Sequence, residues 1–181
     1  MNCWKSFNIS KQYGSIRLSL ISLMGTIFFL IIFSLLFVNN HHEIAFSPMN
    51  LIILIMMLFI VWPLHKICHC IPLWLVGKRA SLSIERSNKP IPIIYTNIPG
   101  TTSKRLAIIM SVFPGVVITA VIFVAASQFP SMLYYLSFAG ALNFGISMKD
   151  FVYLTHLAKA PTHAYIEDDR DDCRILIKQT L

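Results

Sequence analysis

Four long apolar blocks separated by short polar stretches dominate this chain. They cover residues 18–38, 50–73, 106–126 and 131–151, each close to the ~20 residues an α-helix needs to cross a bilayer. A soluble helix or strand would interrupt its apolar positions with polar ones every few residues; here the apolar positions run together. The pattern predicts an all-α polytopic membrane protein with four transmembrane helices. Outside the blocks the period changes. Residues 81–85 alternate as a strand does, and 91–98 are β-branched but punctuated by Pro90, Pro92 and Pro99. Residues 164–178 read as a β-hairpin around the charged turn that begins at Asp168. Small β-hairpin elements are therefore expected beside the helices. The whole reads as a transmembrane domain over 1–160, including the loop 78–105, followed by a tail over 161–181.

Charge adds an orientation. Only 13% of the 181 residues are charged, against about 25% in an ordinary soluble domain. Lys5, Lys11 and Arg17 precede the first block. Lys78, Arg79, Arg86, Lys89, Lys104 and Arg105 lie between the second and third, and Lys159, Arg170, Arg174 and Lys178 follow the fourth. The two remaining loops hold no lysine or arginine. Positive-inside bias then places both termini, the long central loop and the β elements in the cytoplasm. The net charge of +7 reads as this bias plus attraction to anionic lipid, so nucleic acid is not expected as a partner. The four cysteines show no disulfide framework, and no cleavable signal is expected at the start.

The candidate chemistry lies in the second block. His65 and His69 stand four residues apart, which puts both imidazoles on one helix face, a turn apart. The predicted orientation places them near the cytoplasmic end of their helix. The fourth helix also runs inward and carries Asp150 at its end. Two histidines and a carboxylate at one depth match the three protein ligands of a catalytic zinc site. Lys66 stands where His-Glu-x-x-His peptidases carry the glutamate base. A bland arrangement competes, in which Asp150 pairs with Lys66 across the helices, or the histidines and the lysine reach to interfacial water. Asn143, two turns before Asp150, could serve the site or only bond between helices. Cys68 could join the histidines or simply fill space, while Cys70 points about 100° away from His69. Gly140 and Gly145, with Ala139 and Ala141, offer a surface for close helix packing. His41, His42 and Glu43 read as a solvated turn or a second metal cluster. Residues 167–172 read as a solvated turn.

The residues PLHKICH over 63–69, NFGISMKD over 143–150 and the apolar tail after Ala164 resemble the DUF3267 family, bacterial membrane proteins of zincin-peptidase type. Through them the chain resembles the site-2-protease-like intramembrane metalloproteases, and its start, MNCWKSFNI, looks like Bacillus-type members. The resemblance implies zinc as cofactor, His65, His69 and Asp150 as its ligands, and Asn143 as a partner to a ligand or to a substrate carbonyl. It also implies a bacterial cell-membrane location and a peptide-holding β-loop at 80–98. Two departures stand out: Lys66 replaces the glutamate, and the segment around Asp150 lacks the proline-rich Asp-Gly pattern. The expected function is a membrane-embedded metallopeptidase, a hydrolase if active, made degenerate by Lys66. The alternative is an inactive protein of the same fold that binds or regulates a membrane partner or peptide. If the site is active, Glu85 is the nearest acid in sequence to serve as base.

Overall fold

Backbone N–H and C=O groups in hydrocarbon must be satisfied within their own segment, which leaves the helix as the local solution for the apolar blocks. The computed structural model of the protein describes residues 2–37, 48–85, 93–169 and 172–177. Its chain begins with strand β1 (Asn2–Asn8), a short helix α1 (Ile9–Tyr13) and the long α2 (Ser15–Leu36). Helix α3 (Pro48–Leu75) leads into strands β2 (Ser81–Glu85) and β3 (Ile93–Asn97), then the two-residue β4 (Thr102–Ser103). Helix α4 (Lys104–Gln128), a single 3-10 turn, α5 (Leu133–Ala158), β5 (Tyr165–Asp169) and β6 (Asp172–Ile177) complete it.

Three of these helices are long and apolar enough to cross a membrane: α2, α3 over Leu51–Leu75, and α4. They expose apolar side chains such as Ile27, Phe59 and Val121 on their outer faces. Helix α5, expected as a fourth span, is as long at 26 residues, about 39 Å at 1.5 Å per residue. It is less apolar, and its position explains why. It packs against α2, α3 and α4 and buries polar Ser137, Asn143 and Ser147, whose bonds are made inside the bundle. Close approach is carried by small residues. A Cβ on Gly140 would lie 2.6 Å from the Phe29 ring of α2, and one on Gly145 would strike the Thr26 hydroxyl.

The β elements gather at one end of the bundle, where α2 and α4 begin and α3 and α5 end. Strands β2 and β3 form the antiparallel hairpin expected in the central loop. The expected C-terminal hairpin is β5–β6, and it joins a four-stranded antiparallel sheet in the order β1-β6-β5-β4. Strand β1 was not anticipated. Only Phe7 in it is buried, so it has no amphipathic alternation to read. Its ring stacks on His156 at 4.6 Å, and the Tyr13 hydroxyl lies 3.2 Å from Nε2 of the same histidine. On the far edge, the Lys104 ammonium donates to the carbonyls of Ala158 and Ala160 at 3.0 and 2.5 Å, tying the start of α4 to the end of α5. The apolar core beneath the sheet contains Phe7, Leu157, Ile166 and Ile175.

All four cysteines are free: Cys3 is exposed, and Cys68, Cys70 and Cys173 are buried. Burial pushes the Cys173 thiol up to about 12, so its reactive thiolate forms only near that pH. At pH 7 a thiol-reactive dye is expected to label one cysteine quickly and the other three only on unfolding. Cys3→Ser should remove the fast phase; a second fast thiol would contradict the burial.

Candidate metal centre

The i, i+4 spacing on α3 does what helix geometry requires, turning His65 and His69 toward α5 with their rings 5.1 Å apart. Asp150 of α5 lies between them, its Oδ2 3.0 Å from His65 Nε2 and 3.4 Å from His69 Nε2. One ligand-type atom from each of the three falls within 4.8 Å of the others. His65 is fully buried, while His69 and Asp150 are 12% and 21% exposed.

The other nitrogen of each ring is held from behind. His65 Nδ1–H donates to Asn143 Oδ1 at 2.9 Å, and the Asn143 amide nitrogen faces the Thr119 hydroxyl at 3.4 Å, which fixes the orientation of the amide. Asn143 sits two turns before Asp150, so one face of α5 supplies both partners of His65. His69 Nδ1–H donates to the backbone carbonyl of Met110 at 2.8 Å. That carbonyl is available because Pro114, inside α4, has no N–H to bond the residue four positions earlier. A carbonyl oxygen can only accept, so both histidines carry their proton on Nδ1. Both Nε2 atoms, the positions left for a metal or a second proton, point at the same carboxylate oxygen. Three electron-rich atoms converging in a mostly buried site require a positive centre among them, a metal ion or a proton.

Asp150 thus turns to the histidines and not to Lys66, which makes no ion pair with a described residue. Lys66 instead lines a cavity of about 680 Å³ beneath the sheet, walled also by His69, Asp150, Tyr153 and Asp168. Cys68 belongs to the apolar core. Cys70 points back along α3, its Sγ 3.8 Å from the Lys66 carbonyl, so neither thiol joins the cluster. His156 serves the sheet, and His163 is exposed. Glu85 lies in β2, but its side chain is outside the described residues, as are His41, His42, Glu43 and Arg170. The partners missed in the sequence are Met110, Thr119 and Tyr153. Pro114 in an apolar block was the one available signal for the first of these.

A family model, DUF3267, described as "Putative zincin peptidase", matches residues 58–165, more than half of the chain. The chain belongs to the DUF3267 family. No curated protein and no solved structure matches it. The DUF3267 stretch opens in α3 just before the histidine pair and closes at the first residue of β5. It contains the whole cluster together with Met110, Pro114, Thr119 and Asn143; β1, α1, α2 and β6 lie outside it. A zincin implies zinc, and the donor set fits: two imidazoles whose Nε2 atoms converge on one carboxylate oxygen, each imidazole braced by an acceptor on its other nitrogen.

Proposed function

We propose that this DUF3267 protein is a membrane-embedded metallopeptidase of zincin type, with zinc held by His65, His69 and Asp150. The observation that carries this is the convergence of one ligand-type atom from each of His65, His69 and Asp150 within 4.8 Å, each imidazole braced through its Nδ1. Four spans with both termini cytoplasmic fit the length of α5 and the basic residues gathered at the sheet end. The transmembrane unit then covers 1–160, and the tail 161–181 contributes strands to the cytoplasmic sheet. Zinc, when bound, supplies a Lewis acid to polarise a scissile carbonyl and to acidify a water toward pKa ~7. The chain's own part is positional. Asn143 and Met110 hold the imidazoles, Asp150 supplies the negative charge, and the adjoining cavity gives a peptide room.

Lys66 is the departure that matters. An ammonium cannot take the proton that hydrolysis releases, so the acceptor must come from elsewhere. Among the described residues lining the cavity, Asp168 is the one carboxylate besides Asp150. The same lysine favours a second reading, in which the protein binds a peptide or membrane partner without cutting it.

Zinc content by elemental mass spectrometry of the detergent-purified protein tests the metal. About one zinc per chain is expected, lost in His65→Ala, and a metal-free parent would sink the reading. Hydrolysis of a quenched fluorescent peptide by the parent and by Lys66→Glu then separates the two functions. Activity in the parent supports the peptidase. Activity only in Lys66→Glu supports a binding protein descended from one.

A further inference from the structure

The cavity beneath the sheet contains a charge that makes no ion pair among the described residues. Lys66 follows His65 by one residue, so on α3 it projects about 100° away from the cluster face and into the cavity wall. Of the two described carboxylates that line the cavity, Asp150 is engaged by both histidines and Asp168 has interactions of its own on β5. No described carboxylate pairs with Lys66. Lys149 of α5, next to Asp150, is exposed and lines the same space, and it too has no ion pair among the described residues. Phe7, Ile98 and Ile166 supply apolar surface around them. At about 680 Å³ the cavity falls within the ~300–1,000 Å³ of small-ligand sites. A part-buried ammonium beside a metal centre is unfavourable until an anion meets it. A glutamate at position 66 would repel a ligand carboxylate; the lysine attracts one.

We infer that the cavity recognises a carboxylate on its ligand, received by Lys66 with Lys149 lining the same space, so that the ligands presented to the His65–His69–Asp150 cluster are acidic peptides. The carboxylate comes either from a peptide C-terminus or from an aspartate or glutamate side chain. That the ligand is a peptide rests on the metallopeptidase reading; that it carries a carboxylate does not.

The test uses the full chain in detergent and three N-terminally labelled pentapeptides, followed by fluorescence anisotropy. These are pentaalanine as the free acid, pentaalanine as the C-terminal amide, and an amide with a central glutamate. The free acid, the glutamate peptide or both should bind the parent at least roughly ten-fold more tightly than plain amide, as a charge-assisted bond implies. Preference for the free acid alone assigns the C-terminus, and equal preference assigns any carboxylate. Lys66→Gln should reduce the preference to near unity, and Lys66→Arg, with zinc content and melting point unchanged, should restore it. Equal binding of all three peptides, preference surviving in Lys66→Gln, or no binding up to about 1 mM overturns the inference. Zinc measured on the same samples keeps the two ideas apart. A carboxylate preference without zinc leaves this inference standing and removes the metallopeptidase reading, and zinc without the preference does the reverse.

Discussion

Asp150→Asn is expected to empty the metal centre while leaving the helices around it folded. The amide has the shape of the carboxylate but carries no charge, and its N–H can donate to either Nε2 lone pair. The cluster would then be satisfied by a hydrogen bond, with no cation required. Zinc should fall below detection in a chelator competition that leaves the parent loaded, while helicity and melting point stay near the parent's. Two further variants should grade below it. Asn143→Leu removes the acceptor that orients His65 and should weaken zinc by about 10–100-fold, the usual cost of losing a residue that braces a ligand. Pro114→Ala returns an N–H to α4 that competes with His69 for the Met110 carbonyl; its effect should be the smallest, because a carbonyl has a second lone pair. If Asp150→Asn kept the parent's affinity, the aspartate would be no ligand and the cluster a hydrogen-bonded histidine pair.

Gly145→Val is expected to break the seam between α2 and α5. The new Cβ would strike the Thr26 hydroxyl and lie 3.0 Å from the Ser22 backbone carbonyl oxygen, which cannot move without moving α2. The clash also falls on the bond from Thr26 Oγ1 to Ser22 O, 2.9 Å long. Gly25 presses on Met148 along the same seam, so no free space lies alongside. Overpacking of this kind costs about 1–3 kcal/mol, and each kcal/mol lowers a melting point by about 2–4 °C in a chain of this size. Release of the buried thiols of Cys68, Cys70 and Cys173 on heating reports it directly. Zinc affinity should fall too, since Asn143 stands two residues away on the same helix. An unchanged melting point would mean that α2 rests loosely on α5.

The contrast between α5 and the other long helices shows what the sequence could carry. Helices α2, α3 and α4 announce themselves because lipid-facing residues must be apolar. Helix α5 faces protein on several sides, so Asn143, Ser147 and Asp150 dilute its hydropathy while its length still marks it. The histidine pair was legible because i, i+4 is a local relation, and Asp150 because helix direction follows from charge. The brace on His69 was not, because a backbone carbonyl has no letter; only the missing N–H of Pro114 hinted at it. Strand β1 was hidden for a related reason. Its status depends on pairing with β6, whose residues lie more than 160 positions later, and one buried phenylalanine leaves no period to detect.

That distant pairing also orders events during synthesis. Helices α2 to α5 can pack one after another as they emerge from the ribosome, and each local contact forms quickly. The sheet cannot close until Ile177 has been translated and β6 finds β1 and β5. Until then the wall that Cys173 gives the cavity is absent, and His69 and Asp150 are less covered. Closure of the sheet thus completes the wall of the cavity that His69 and Asp150 share, with Ile166, Asp168 and Cys173 the last of its described lining to be made.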